Sequence, residues 1–342
     1  MKLSELYWHR ITPLHFVLWP LSAFYGLFLT LKKLCYWLDI LPSVKLPVPL
    51  IMVDSISIDD GGKTPLLLWL VDCLRTHGFS PGIITRGNYD NPGPPAAVTS
   101  ASDPHSVSGK TFLLAQHCGK SCPAWVGNDR PAVAQALLDA HPACNVIVCN
   151  DGMQGYRLER DIELAVVDFS EHNFGNGLLL PAGPLRMNLK YLSKSGIIVT
   201  NGKQNSHTDT SKWGKTYNMK LIHEIAYNVL NPEIQQLVSD FKNKRIHAIS
   251  DADNLHWFFD FIQETGLNAE LHSYAESHRF IQQEILFADA DVILMPEENA
   301  IQCQNFADSR LWALPRKAWV NNELQTILLK KLANNSALHN QR

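Results

Sequence analysis

Gly61-Gly62-Lys63-Thr64 sits between an apolar run and a helical pattern, and these residue types suit a bound polyphosphate. A loop in that position wraps phosphates with backbone N–H groups, while a Lys reaches the terminal phosphates and a Thr hydroxyl ligates magnesium. The loop read this way runs through Ser57, Ile58, Asp59, Asp60, Gly61, Gly62, Lys63 and Thr64. The full signature has Gly where this chain has Ser57, and Asp59 and Asp60 stand where backbone should cradle an anion. A carboxylate about 5 Å from a phosphate oxygen costs roughly 1–3 kcal/mol at an intermediate dielectric. On spacing alone, the tetrapeptide is equally an ordinary turn.

A second candidate is Asn150-Asp151-Gly152, directly after the apolar run 145–149. A carboxylate just past a buried strand is where a nucleotide-bound magnesium finds its ligand. It is also where a turn or helix cap uses an aspartate.

The elements that must position these residues are legible as alternating apolar runs and helical patterns. Runs at 46–53, 80–85, 145–149, 162–168 and 196–200 read as buried parallel strands. Helical spacing of apolar residues predicts helices over 65–77, 111–118 and 130–141. Residues 88–109 are rich in Pro, Gly, Ser and Asp and read as a long loop. After a polar linker at 202–216 come strands at 246–250 and 288–295, a helix at 257–264 and a closing helix at 322–332. The polar tail 333–342 is expected to fray. This alternation predicts a doubly wound parallel sheet over 46–201 and a second, smaller α/β lobe over 217–332.

Residues 11–31 carry no formal charge and are closed by Lys32 and Lys33. The run is about as long as a bilayer is thick, but Pro20 removes a helix hydrogen bond. No small-residue cleavage site follows, which argues against a signal peptide. Trp8, Trp19, Tyr25, Tyr36 and Trp37, with Arg10, Lys32 and Lys33, are the anchors of a helix lying in a membrane interface. A spanning helix and a buried hairpin are the other two readings. Segment 1–45 is thus expected to be membrane-associated.

The 342 residues, 46% hydrophobic and 18% charged, are ample for a core and exclude disordered or collagen-like classes. A net charge of -3 argues against a nucleic-acid partner held by a whole-surface basic field. Seven scattered cysteines without a paired pattern read as reduced thiols of a cytosolic compartment. No G-x-G-x-x-G follows any predicted strand, which sets a dehydrogenase aside.

Three blocks carry a family resemblance: 46–53 running into GGKTP, NDGMQGYRLERDIELAVVD at 150–168, and FGNGLLLPAGPLR at 174–186. With PLSAFYG at 20–26, Arg86-Gly87 and GNDR at 127–130, the chain resembles the tetraacyldisaccharide 4'-kinases of lipid A synthesis. The resemblance implies a P-loop NTPase-like core and transfer of the ATP γ-phosphoryl group to the 4'-hydroxyl of a tetraacylated disaccharide 1-phosphate. It implies ATP and Mg²⁺ as cofactors, the lipid A disaccharide precursor and the membrane surface as partners, and the cytoplasmic face of a bacterial inner membrane as location. In that reading Lys63 neutralises the β/γ-phosphates, Thr64 and Asp151 hold the metal, and Arg86, Arg130 and Arg186 contact phosphates or headgroup. Arg suits such oxyanions through its planar fork. Each of these arginines taken singly is equally an ordinary salt-bridge partner.

The chain departs from the family where chemistry is carried. Asp54-Ser55 replaces Gly-Asn, Asp59-Asp60 replaces a double glycine, and Asn150 and Gly155 replace an Asp and a His. The Gly-Asp-Glu-Pro segment that supplies the family's catalytic carboxylate aligns with Ser108-Gly109-Lys110-Thr111. In the second lobe Asp251-Ala252-Asp253 replaces a Gly-x-Gly turn, and Pro296-Glu297-Glu298-Asn299 aligns with Thr-Glu-Lys-Asp. Ser277 replaces the first His of Asp-His-His, which leaves His278 as the substitute. Strands and packing motifs survive these changes. Two expectations follow: a lipid A 4'-kinase using Lys63, Thr64 and Asp151, or a catalytically inactive homologue binding lipid headgroups or partner proteins at the membrane.

Overall fold

Pro47 and Pro49 have no N–H to give a ladder, so the apolar run at 46–53 pairs as a strand only from Leu50 onward. In the computed structural model, residues 7–8, 10–58, 61–86, 93–99, 101–102, 107–152, 154–169, 174–202, 210–276 and 278–339 are described. The chain divides into two compact units: 1–97, 120–220 and 318–342 form one, 98–119 and 221–317 the other.

The first unit is built on a nine-stranded sheet of order β15-β8-β7-β6-β1-β5-β2-β4-β3. Its strands are β1 (Leu50–Ser55), β2 (Pro81–Thr85), β3 (Ala96–Val98), β4 (Ala124–Val126) and β5 (Val146–Asn150). They continue with β6 (Ile162–Asp168), β7 (Ile197–Asn201), β8 (Thr216–Ile222) and β15 (Lys317–Val320). The six pairings from β4 through β2, β5, β1, β6 and β7 to β8 are all parallel. Strands β1, β2 and β5 are buried along their whole length, as expected where helices cover both faces. Helix α1 (His15–Trp37) precedes β1, α2 (Lys63–Thr76) joins β1 to β2, and α4 (Arg130–Ala140) leads into β5.

Helix α1 turns the usual amphipathic pattern inside out. His15, Leu18, Ser22, Tyr25, Gly26, Leu29 and Lys32 recur at helical spacing and form its less exposed stripe. Ser22 Oγ donates to the Leu179 carbonyl at 2.8 Å, and His15 Nε2 stands 3.1 Å from the Ala182 carbonyl. The other faces leave Phe16, Val17, Phe24, Phe28 and Trp37 in solvent, Phe16 at 79% exposure. The buried-hairpin reading is therefore corrected: this is one helix whose polar stripe docks and whose apolar faces are open. No helix among the described residues is long and apolar enough to cross a membrane, which corrects the spanning reading as well.

The second unit has a six-stranded sheet of order β10-β9-β14-β13-β11-β12. Its strands are β9 (Ile225–Asn228), β10 (Gln235–Leu237), β11 (Ile246–Asp251), β12 (Ala269–Tyr274), β13 (Val292–Pro296) and β14 (Leu311–Leu314). Strand β9 runs antiparallel to both its neighbours, and β11, β12, β13 and β14 are parallel. Phe241, Phe258 and Trp312 fill one face of this sheet, and Ile249, Phe280 and Ile293 the other. Helix α5 (Leu255–Glu264) covers the first of these faces.

The units interleave, unlike the boundaries read along the sequence. Helix α3 (Gly109–Cys118) joins the second unit because Phe112 and Leu113 pack with Ile301, just past α6 (Glu297–Ala300). Helix α7 (Asn322–His339) returns to the first unit, where Lys215 pairs with Glu323 and Gln325 Nε2 stands 3.0 Å from His77 Nε2. It also corrects the expected fraying from 333, since the helix runs on to His339. The loop at 88–109 contains β3 and the start of α3, and of the linker at 202–216 residues 203–209 lie outside the described residues while Thr216 already opens β8. The seven cysteines are all free thiols.

Candidate phosphate-binding site

From β1 the chain crosses through α2 to β2 on one side, while β5 returns beside β1 and β6 lies on β1's other side. The carboxyl ends of β1 and β5 lie side by side, at the point where a doubly wound sheet binds its ligand. The residues at that edge are Asp54 and Ser55 from β1 and Asn150 from β5, with Asp151 directly after it.

Gly61 and Gly62 have φ of +58° and +88°, a left-handed pair that lets the chain turn from the loop into α2. Lys63 and Thr64 open that helix, both buried, at the end where N–H groups are unpaired and the dipole is positive. Its first turn carries no acidic residue. The loop is held from the other side by 184–186. Ile58 N–H donates to the Pro184 carbonyl at 3.0 Å, and Arg186 N–H donates to the Ile56 carbonyl at 2.7 Å. Buried Ser57 bridges to Leu185 and sits 3.2 Å from the Ser55 hydroxyl. Asp59 and Asp60 lie outside the described residues.

Lys63 Nζ donates to Asp151 Oδ1 and stands 3.7 Å from Asp54 Oδ1. Arg186 Nη1 is 3.6 Å and 3.7 Å from the same two oxygens. Two cations and two carboxylates thus alternate in one cluster, with Asp54 further accepting the Ser55 N–H at 2.8 Å. Asp151 adopts a left-handed φ of +57°, uncommon without glycine and a strain that surrounding contacts must hold. Arg130, first residue of α4, supplies one such contact through Nη2 to the Asp151 carbonyl. Gly152 supplies another: a Cβ there would run into Met52 Sδ and lie 2.7 Å from Arg130 Nη1.

The structure therefore brings together Ser57, Ile58, Gly61, Gly62, Lys63, Thr64, Arg130, Asp151 and Arg186. Arg86 follows β2, is exposed, and raises the local positive charge enough to help hold Lys32 below its ordinary pKa, burial being the larger cause. His278 belongs to the second unit, where Nε2 is 2.9 Å from both oxygens of Glu284 and the ring stacks on Tyr274. Asp54 was missed as a participant because it read only as a departure from a motif. Its place at the end of the same buried strand that feeds the loop was the available signal.

The residues present fit a magnesium-bound polyphosphate. Thr64 and Asp151 offer hard oxygen donors, and Lys63 and Arg186 already engage anionic oxygens. Asn150 Oδ1 is buried without a hydrogen-bond partner, an acceptor available to a ligand group or its water.

The sequence profile described as tetraacyldisaccharide-1-P 4'-kinase matches residues 14–333. The chain belongs to the tetraacyldisaccharide 4'-kinase family. It is 42% identical over 332 residues to the tetraacyldisaccharide 4'-kinase of Nitrosomonas eutropha, covering 97% of this chain and 84% of that one. Against the enzyme of the same name from Azoarcus sp., identity is 36%, with 97% and 96% covered. The fold matches that of LpxK from Aquifex aeolicus, solved in complex with ATP, with a TM-score of 0.73. That match covers 92% of this chain and 98% of the other at 19% identity. As a tetraacyldisaccharide 4'-kinase family member, the chain keeps the loop, Lys63, Thr64 and Asp151 in one site despite its altered motifs.

Proposed function

We infer that the protein phosphorylates the 4'-hydroxyl of a tetraacyldisaccharide 1-phosphate from ATP, a step of lipid A synthesis. The observation that carries this reading is the meeting of Lys63, Thr64, Asp151 and Arg186 at the switch point of a sheet in a chain of that family. The acceptor oxygen forms a bond to the γ-phosphorus as the bond to the β–γ bridging oxygen breaks, ADP leaves, and the hydroxyl proton passes to a general base. Phosphoryl transfer depends mostly on positioning and charge stabilisation. Lys63 and Arg186 stabilise charge on the phosphoryl oxygens by exchanging their carboxylate partners for them. Arg130 orients Asp151 through its carbonyl. Thr64 and Asp151 would hold Mg²⁺, which supplies further charge neutralisation when bound.

Arg86, Arg130 and Arg186 are proposed to meet the phosphates or the headgroup, and Lys32 beside Arg86 adds to that positive corner. His278 is proposed to assist proton removal by resemblance. The open apolar faces of α1 support docking on a membrane surface, in this reading the cytoplasmic face of a bacterial inner membrane.

The test is a kinase assay with the full chain, MgATP and the tetraacyldisaccharide 1-phosphate on vesicles. The 4'-phosphorylated product is expected, with Lys63→Ala lowering the rate at least about 100-fold. A rate unchanged in Lys63→Ala overturns the reading. MgATP binding by calorimetry without any product turns it toward the inactive, lipid-binding homologue.

A further inference from the structure

Three potential metal ligands meet in the second unit, remote in sequence from the loop at 57–64. Strands β11 and β12 are parallel, with His247 opposite Glu270 in register. Side chains alternate along a strand, so Glu270 and His272 point to one face of β12 and His247 to the same face of β11. Donor atoms of these three residues all lie within 4.8 Å of one another. His247 Nδ1 is 2.9 Å from His272 Nε2, and the Glu270 oxygens are 4.0 Å and 3.8 Å from those same two nitrogens. Ligands about 2.0–2.1 Å from a tetrahedral zinc stand about 3.3–3.4 Å apart. The two rings, parallel within 8° with centroids 5.2 Å apart, share an N–H···N contact, and both nitrogens must swing outward by a few tenths of an ångström to receive an ion beside Glu270.

We propose that His247, Glu270 and His272 form a binding site for a divalent transition-metal ion of the zinc class. Two imidazoles and one carboxylate are a donor set suited to zinc and poorly suited to magnesium, which prefers oxygen. Three protein ligands leave a fourth position for water.

The surroundings are those of a prepared site. His247 Nε2, on the far side of its ring, is 3.4 Å from Asp289 Oδ1. A carboxylate there fixes the ring and leaves Nδ1 as the coordinating atom, the arrangement that supports metal-binding histidines. Phe287 stacks on His247 with centroids 4.1 Å apart and lies tilted against His272 at 4.6 Å. His247 is 4% exposed, so its side chain is held by the fold, whereas Glu270 is open to solvent. Strand β12 is the last in its sheet, which gives an ion a way in. A hydrogen bond between the two imidazoles would explain their approach, but it uses neither Glu270 nor Asp289.

The test uses the full chain stripped with a chelator and titrated with zinc sulfate against a chromophoric competitor. One zinc per chain with micromolar or tighter affinity is expected. Asp289→Asn should weaken it by about 10- to 100-fold, as loss of a supporting carboxylate does elsewhere. Glu270→Gln combined with His272→Gln should remove it. Both of these residues lie on the edge strand with solvent access, and thermal melts confirm that the variant folds. Zinc should raise the parent melting temperature by mass action and leave the double variant unmoved. Cobalt should give the visible bands of a tetrahedral site in the parent alone. Asp151→Asn should keep the zinc, which separates this site from the phosphate-binding site. No binding at hundred-micromolar zinc, or binding that survives Glu270→Gln with His272→Gln, overturns the proposal.

Discussion

Lys63 Nζ stands 3.7 Å from Asp54 Oδ1, and both side chains are only 6% exposed. Such a pair is costly to break from one side, because the remaining charge stays buried. Removing one partner of a buried pair typically costs about 3–5 kcal/mol, while replacing both is often close to neutral. Lys63→Met should therefore lower the unfolding free energy by about 3 kcal/mol, somewhat offset by Arg186 and the Ser55 N–H. Adding Asp54→Asn should recover part of that stability, since Asp151 has lost the same cation, and none of the kinase activity. Urea melts of the two single variants and the double variant measure the coupling, and independent effects would contradict the pairing.

Gly152→Ala should be disruptive out of proportion to one methyl group. The new Cβ would overlap Met52 Sδ and approach Arg130 Nη1 to 2.7 Å. Overpacking of this kind costs about 1–3 kcal/mol, and here it also pushes on Arg130, which donates to the Asp151 carbonyl. Met52→Ala in the same chain should restore much of the melting temperature. Activity should return less fully, because Arg130 is still displaced.

The strands of the site were legible in sequence because β1, β5 and β6 are short apolar runs with few other ways to be buried. The loop was legible through Gly61-Gly62-Lys63-Thr64 and its neighbours. Asp54 was not, since its role depends on a register that brings β1 beside β5. Helix α3 and helix α7 fell on the other side of the domain boundaries because apolar periodicity says that a face is buried but not against what. The polar stripe of α1 was hidden for a related reason. Ser22 and Tyr25 find their partners at Leu179 and Arg186, more than 150 residues away in sequence. Strand β12 went unread because its burial alternates weakly at a sheet edge.

Tyr25 OH donates to the Arg186 carbonyl at 3.2 Å and accepts from Gln154 Nε2 at 2.9 Å. Gln154 Nε2 also donates to that carbonyl at 2.9 Å, so α1 is bonded to both segments that bear on Asp151. Tyr25→Phe should lower kcat several-fold while KM for ATP changes little, since the phosphate loop itself is untouched. Unchanged steady-state kinetics would show that the helix docks without positioning Arg186.

Phe24 and Phe28 are 70% and 59% exposed on α1. Burying a phenylalanine side chain contributes about 1.5–3 kcal/mol. Phe24→Glu with Phe28→Glu should thus weaken binding to phospholipid vesicles by about a hundredfold or more while the melting temperature holds. Flotation of parent and variant reads this directly. Equal flotation would place the membrane contact elsewhere.

His223 links acidity to the stability of the second unit. Its Nδ1 is buried without a hydrogen-bond partner, and its ring meets Phe261 edge-on at 4.5 Å and Trp257 at 5.7 Å. Burial is the main cause holding its pKa below 6.5, and the charge of Arg316, which stacks on Trp257 at 4.4 Å, adds to it against Glu224. As pH falls through 6.5 the unfolded chain takes up this proton while the folded chain does not. The unfolded state then binds more protons, so this contribution to stability declines from just above that pH down to the folded pKa. His223→Phe removes the titrating group and keeps an aromatic ring against Phe261. Its unfolding free energy should therefore fall less steeply with acidification than the parent's, and the two curves should run parallel above neutral pH. Parallel curves over the acid range as well would mean that His223 accepts its proton in the folded chain as readily as in the unfolded one.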